Sequence, residues 1–149
     1  MGIKLKTPQQ AIERMVEGKA QLIKRSIFET LSMVGEECII AMRKNKPHNY
    51  TDQSGNLRSS TGYMIVQDGK VMTRGGFEQV KGGDEGVKTG KKAVAEVAKQ
   101  FPEHSVLIVV AGMKYGVYVE RRGYDVITSG KLRAKEEAPR LLKEMGLIL

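Results

Sequence analysis

The chain has no tryptophan, two histidines and a single cysteine, Cys38. One cysteine excludes an internal disulfide and is typical of proteins that stay in a reducing compartment. Neither His48 nor His104 has a second histidine, cysteine or carboxylate at metal-ligand spacing, so the sequence predicts no metal site. We expect both to be loop histidines, and Cys38 to be a buried thiol without a base beside it.

Long apolar runs and charge clusters are also missing. No run approaches the roughly 20 apolar residues that span a bilayer, and residues 1–10 lack the apolar segment of a signal peptide, so we expect no membrane association. The net charge is +8. Residues 1–50 carry 9 basic and 5 acidic side chains, and residues 51–100 and residues 101–149 each carry 8 basic and 6 acidic ones. This even spread predicts no sequence-specific nucleic-acid binding. A basic nucleic-acid-binding module is the alternative if the fold gathers these charges on one face.

Catalytic signatures are scarce. Residues 89–92, Thr-Gly-Lys-Lys, follow a glycine-rich segment but lack the Ser or Thr after Gly-Lys that a phosphate-binding loop requires. Glu120 precedes Arg121 and Arg122, which favours surface ion pairs over acid–base catalysis. We therefore predict no enzyme, no catalytic residue and no cofactor. An enzyme or toxin-like site formed only by the fold is a further alternative.

A helical pattern fills the first third of the chain. Residues 7–10, Thr-Pro-Gln-Gln, form a capped helix start, and Pro47 ends the pattern. A helix over residues 8–46 would be about 58 Å long, more than the diameter of the domain. It must therefore break, at Gly18 or Gly35, or project and need a partner subunit. Its apolar stripe consists of Val16, Ala20, Ile23, Ile27, Leu31, Val34, Cys38 and Met42.

Residues 51–68, TDQSGNLRSSTGYMIVQD, separate helical from strand patterns. The turn formers at their start predict a short helix carrying Leu57 and Arg58, capped by Ser54 or Asn56. Asp-Gly at the end of the segment predicts a β-hairpin. Its two strands are residues 63–67 and 70–77.

The second half of the chain alternates between short patterns. Residues 80–90 are rich in glycine and charge and predict a mobile loop, whereas residues 91–101 predict a helix. The apolar residues 106–111 predict a central strand buried on both faces. Residues 115–120 fit a strand or a short helix, of which we prefer the helix.

The C-terminal pattern predicts a brief strand at residues 124–127 and a final helix that Thr128 or Ser129 caps. This helix ends at Gly146, and Pro139 kinks or restarts it. Together the patterns predict one α+β domain over residues 1–149. It has a long N-terminal helix or helix pair, an antiparallel sheet with a β-hairpin, a middle helix and a C-terminal helix.

Two segments resemble a known family. Residues 54–60, Ser-Gly-Asn-Leu-Arg-Ser-Ser, resemble the G-N-L-R-S-S signature of bacteriophage neck and tail-completion proteins, which join the tail tube to the capsid connector. In that family a β-hairpin, an apolar strand and a Y-x-x-Y-V-E-x-G motif follow. Here residues 115–120, Tyr-Gly-Val-Tyr-Val-Glu, follow the apolar strand, with two arginines before Gly123 where the family often has one residue.

The resemblance implies a structural protein of the virion neck or tail, made in the bacterial cytoplasm. It implies a homo-oligomeric ring, hexameric on assembly, that contacts tail-tube and connector proteins. The residues expected to serve structure or assembly are Asn56, Leu57, Arg58, Ser59, Tyr115, Tyr118, Glu120 and Gly123.

Physical roles can be assigned to these motif residues. Leu57 would anchor the short helix in the core, while Arg58 reaches Glu120 or points to water. Tyr115 and Tyr118 would bury their rings and keep their hydroxyls hydrogen-bonded. We expect the mobile loop of residues 80–90 to become ordered only against a neighbouring subunit.

Overall fold

A computed structural model describes residue 2, residues 8–44 and residues 49–149. It has the predicted α+β fold. The proposed helix start at Thr7, the helix end at Pro47 and His48 lie outside the described residues. The elements are α1 (Gln9–Lys44), α2 (Asn56–Ser59), β1 (Thr61–Gln67), β2 (Lys70–Gly76), α3 (Asp84–Ala98), β3 (Ser105–Ala111), α4 (Gly116–Arg121) and α5 (Thr128–Glu144).

The long helix α1 is continuous through Gly18 and Gly35. Its 36 residues make it about 54 Å long. The second half packs against α5 and the sheet. The first half is uncovered, and its apolar side chains are 38–66% exposed: Ile12, Met15, Val16, Leu22 and Ile23. Of the two expected outcomes, α1 therefore projects instead of breaking.

The antiparallel sheet lies between two helical layers. Its strand order is β2-β1-β3, and the predicted β1–β2 hairpin is present. All seven residues of β1 are buried. Tyr63 and Ile65 face α1, whereas Met64 and Val66 pack with Val94 of α3. The sheet core is therefore built on both faces of β1.

The strand β3 corrects one prediction. We expected it to be central, but in the sheet of the described residues it is an edge strand, paired with β1. Both of its faces are nevertheless covered, because Leu107 and Val109 pack toward α1 and Ile108 packs in the cluster beside α3. Its apolar run reflects the two helical layers and not a central position.

The expected mobile loop of residues 80–90 is wrong. α3 begins at Asp84, and its glycines Gly86 and Gly90 are buried. A Cβ atom at Gly86 would lie 2.0 Å from the Asn56 carbonyl oxygen, and one at Gly90 would lie 2.4 Å from that of Ser60. These glycines therefore allow α3 to approach α2 and the start of β1 closely. Residues 84–90 are therefore part of a helix that packs on the core through its buried glycines.

The C-terminal region differs from the prediction at residues 124–127 and at the start of α5, where Thr128 and Ser129 are helical residues and neither caps the helix. α4 is the short helix that we preferred, and α5 runs through Pro139 and ends before Gly146, whose φ is +70°. No strand forms at residues 124–127, where Asp125 and Val126 are instead buried at the approach to α5. Among the described residues, no helix combines the length and hydropathy needed to cross a membrane.

Candidate functional site

The side chain of Asp52 holds the start of α2. One carboxylate oxygen accepts a hydrogen bond from the Gly55 N–H at 2.9 Å, and the other accepts one from the Arg58 N–H at 2.8 Å. The Ser54 hydroxyl accepts one from the Asn56 N–H at 3.2 Å, so only part of the predicted cap is present. Asp52, which was not predicted to be a cap, is buried and satisfies two free backbone donors at the start of the helix.

Asn56 binds the next helix and does not cap its own. Its side-chain oxygen accepts a hydrogen bond from the Gly86 N–H at 3.1 Å, and its amide nitrogen lies 3.4 Å from the Glu85 carboxylate. Ser59 extends this contact, since its hydroxyl accepts a hydrogen bond from the Val80 N–H at 2.8 Å. The two motif side chains therefore fasten α3 and the segment before it onto α2.

Leu57 is the predicted anchor of α2 and joins the two motifs. It is buried in one cluster with Tyr50 and Val126, against which Met113 and Val119 also pack. The Y-x-x-Y-V-E segment thus contributes Val119 to the cluster that holds the G-N-L-R-S-S segment.

Arg58 does not reach Glu120. Its guanidinium donates hydrogen bonds to the Asn49 side-chain oxygen at 2.8 Å and to the Tyr50 carbonyl oxygen at 3.0 Å. It also lies 5.3 Å from the centre of the Tyr50 ring. Burial, reinforced by the charge of Asp52, raises the pKa of the Tyr50 hydroxyl to about 12. Through its hydrogen bonds to Asn49 and Tyr50, Arg58 fixes the chain segment that leads into α2.

Glu120 caps α5 and forms no pair with the neighbouring arginines in the contacts of the described residues. Its carboxylate accepts hydrogen bonds from the Thr128 N–H at 2.9 Å and from the Ile127 N–H at 3.3 Å. The predicted surface ion pair is therefore wrong. Gly123, whose φ is +90°, turns the chain between α4 and α5, and this left-handed backbone favours glycine. Both residues have structural roles.

The two motif tyrosines are exposed, contrary to the prediction. Tyr115 is 40% exposed and Tyr118 is 66% exposed. Three further apolar side chains and four cations between α4 and the first turn of α5 are also exposed: Val117, Tyr124, Leu132, Lys114, Arg121, Arg122 and Lys131.

Two more surfaces are exposed. The uncovered apolar side chains of α1 form the free stripe, which consists of Ile12, Met15, Val16, Leu22 and Ile23. The outer face of α3 and its C-cap carry the lysine row, which consists of Lys88, Lys91, Lys92 and Lys99. Within this row, Lys99 pairs with Glu96 at 2.9 Å.

The motif also borders an open cleft of about 550 Å³, between α2 and α4, that includes Asp52, Glu85 and Tyr115. Asp52 is already bound to backbone N–H groups. Elsewhere, burial and the charge of Glu37 raise the pKa of the Cys38 thiol to about 11, which opposes a reactive thiolate. Among the described residues, no three His, Cys, Asp or Glu side chains are grouped to hold a metal ion.

Comparison of the chain with protein-family models, with curated proteins and with solved structures finds no match.

Proposed function

We propose that the chain is a structural phage or prophage protein that joins or completes the tail at the head–tail connector. It would act by assembling into a ring and by contacting tail-tube and connector proteins. The observation that carries this proposal is the projecting half of α1, whose apolar stripe is uncovered. An apolar stripe of this kind is typical of a helix that packs against another subunit.

The division of the motif residues supports the same function. Asn56, Leu57 and Glu120 point inward and hold the elements together, whereas Tyr115 and Tyr118 point outward. Exposed tyrosines next to arginines have the composition of protein–protein interfaces. The motifs would thus build a rigid support for a contact surface.

The contacts of two carboxylates, Asp52 in the cleft and Glu120 on α4, favour a structural role over catalysis. Asp52 and Glu120 accept hydrogen bonds from backbone N–H groups at helix starts. A general base needs a free oxygen within reach of a substrate proton. Carboxylates that cap helices instead stabilise the fold.

Electron microscopy of the purified chain, alone and mixed with tail tubes or connectors, tests the proposal. We expect rings, hexameric on assembly, that bind the end of the tube. Separated heads and tails should join only when the chain is added. A chain that binds neither tubes nor connectors would contradict the proposed function.

A second candidate is a basic nucleic-acid-binding module, and the lysine row favours it. Four exposed lysines on one helix face would attract a phosphate backbone without reading its sequence. This candidate requires a DNA affinity that persists at physiological salt, whereas the structural role does not.

A further inference from the structure

We infer that two copies of the chain pair through α1 in antiparallel orientation, so that the projecting half of each helix lies along the packed half of the other. This inference rests on the proposed function, because it names the contact that would cover the free stripe. A ring would then be built from such pairs. The partner of the uncovered helix face is a second copy of the same helix.

Exposed apolar side chains continue along α1 beyond the free stripe. Met33 and Ile40 are exposed, although they belong to the half that packs on α5 and the sheet. Met15, Leu22, Met33 and Ile40 follow one another in steps of 7, 11 and 7 residues. Because of these steps, the four side chains point in the same direction within about 20°. We name these four residues the outer row.

The packed half presents its part of the outer row at a groove beside α5. One stretch of the groove, of about 340 Å³, includes Met33 and Glu36. The next stretch, of about 330 Å³, includes Ile40. Glu37 and Arg133 border both stretches, so the two form one continuous surface along α1 and α5.

The apolar face of the projecting half extends from the outer row toward the α5 side. Val16 directly follows Met15 and points in the same direction as Val34, which packs against α5. A twofold axis perpendicular to the two helices keeps the α5 sides of both copies on the same side of the pair. Val16 would therefore lie on the side of the other copy's α5. A stripe this wide is typical of a helix that packs on more than one neighbour.

One antiparallel register matches the outer row with itself. When the midpoint between residues 27 and 28 lies on the twofold axis, Met15 of each copy lies beside Ile40 of the other. Leu22 then lies beside Met33 of the other copy. The overlap of residues 15–40 is about 39 Å long. A shift of one heptad in either direction leaves half of the row without an apolar partner.

Charges favour this antiparallel register over a parallel pair. A parallel pair in register also matches the outer row, but it sets each residue of α1 beside its own copy. Lys19 would then meet Lys19, and Glu36 would meet Glu36. In the antiparallel register Lys19 instead lies beside Glu36 of the other copy, with Glu37 next to it. Opposite charges thus meet at both ends of the contact.

Lys19 and Glu36 are available for this contact. Both are exposed, and neither forms an ion pair within the part of the chain that the structure describes. The Tyr63 hydroxyl donates a hydrogen bond to one carboxylate oxygen of Glu36 at 2.7 Å. This bond holds the Glu36 side chain in place, and the second oxygen can accept a hydrogen bond from a lysine.

Disulfide cross-linking distinguishes the two orientations, because a disulfide requires Cα atoms within about 7 Å. Met15→Cys and Ile40→Cys are made in separate chains, one of which carries a size tag. We expect the mixed dimer as the main product and no cross-link from Met15→Cys alone. Glu17→Cys in place of Met15→Cys is the matched control, since position 17 faces away from the row. The native Cys38 is buried. A main product that joins position 15 to position 15, or no cross-link at any concentration, would overturn the inference.

Charge reversal gives a second readout that does not depend on a new thiol. We expect Lys19→Glu to weaken self-association about tenfold in sedimentation, because it sets like charges together twice in each pair. Adding Glu36→Lys to the same chain should restore association. Arg14→Glu is the matched control, since it makes the same charge change about 90° around α1 from the row. Failure of the double variant to recover association would contradict the proposed contact.

These experiments separate the contact from the proposed function. Rings that bind tail tubes but do not cross-link position 15 to position 40 would overturn the contact and leave the function standing. Cross-links between positions 15 and 40 in a chain that binds no tube or connector would establish the contact and overturn the function.

Discussion

The two halves of α1 carry the same apolar pattern in different surroundings. Val16 and Val34 are 18 positions apart, which is five full turns, so they point in the same direction from the helix axis. Val16 is 64% exposed and Val34 is fully buried. The helical period thus indicates which face is apolar, but it does not indicate whether the same chain covers that face.

The boundary between the halves lies where the hairpin reaches α1. Lys24 pairs with Asp68 of the hairpin turn at 2.7 Å, and the Gln67 side chain donates a hydrogen bond to the Lys24 carbonyl oxygen. Beyond this point toward the N-terminus, the sheet no longer reaches the helix. The reach of the hairpin therefore sets where the sheet stops covering α1.

The largest effect on stability is expected when glycine is replaced by alanine in the core helix α3. The same replacement in the projecting half of α1 is the comparison. Gly86→Ala should lower the free energy of unfolding by about 3 kcal/mol, because the new Cβ atom meets the Asn56 backbone. Gly18→Ala, where no atom lies within 4 Å of the new Cβ, should raise it by about 1 kcal/mol. Urea unfolding measures both. If Gly86→Ala is as stable as wild type, the close packing of Gly86 is wrong and the mobile loop first expected at residues 80–90 is supported.

Thiol reactivity separates the two halves of α1. Because burial raises the pKa of Cys38 from 9.0 to about 11, the native thiol should react with an aromatic disulfide about 100-fold more slowly than the unfolded one. A cysteine placed at position 16 should react at an ordinary rate. Rapid reaction of Cys38 in the native chain at pH 8 would show that the packed half opens readily.

The same pKa shift predicts a pH dependence of stability. The protonated thiol is the form that the fold favours, so its contribution is complete below about pH 9. It is lost as the pH rises through about 11. The free energy of unfolding should therefore fall over this range by more in wild type than in Cys38→Ala. If the free energy of unfolding falls equally with pH in the two proteins, Cys38 does not cause the loss of stability.

The valine pair sharpens the comparison with a smaller change. Val34→Ala should lower the free energy of unfolding by about 2 kcal/mol, because it leaves a cavity between α1 and α5. Val16→Ala should change it by less than about 0.5 kcal/mol. Thermal unfolding of the two variants at low protein concentration measures the difference. Equal losses would mean that Val16 is covered within a single chain.

The smallest effect is expected for nucleic acid. We expect weak, sequence-independent binding of DNA that disappears as salt approaches the physiological range. Replacing Lys88, Lys91 and Lys92 with Gln should reduce this binding, whereas the same change at Lys114 and Lys131 should reduce it less. A tight complex that persists at physiological salt would support the nucleic-acid alternative.

Local patterns predicted the elements whose signals are local. The period of α1, the Asp-Gly turn of the hairpin and Gly146 after α5 each act within a few residues, and each is confirmed. The glycines at positions 86 and 90 were misread as signs of mobility. Their role depends on the close approach of α2, which is far away in sequence.

The residues of the candidate site were predicted from the sequence, but most of their contacts were not. Leu57 is buried as expected, because an apolar residue in a polar turn segment has few other roles. The partner of Arg58 depends on the approach of Asn49 and Tyr50, and the exposure of Tyr118 depends on which face of α4 meets the core. The Asp52 cap could have been predicted from the sequence, since aspartate before a turn is a common helix cap.

Sedimentation of wild type and Val16→Asp over a range of concentrations tests the assembly role of the projecting half of α1 most directly. We predict that wild type self-associates as concentration rises, whereas Val16→Asp stays monomeric and keeps its melting temperature at low concentration. The charge would disrupt an interface between copies but would remain in water in the single chain. A wild-type chain that is strictly monomeric at high concentration, or a Val16→Asp monomer that is strongly destabilised, would contradict this role.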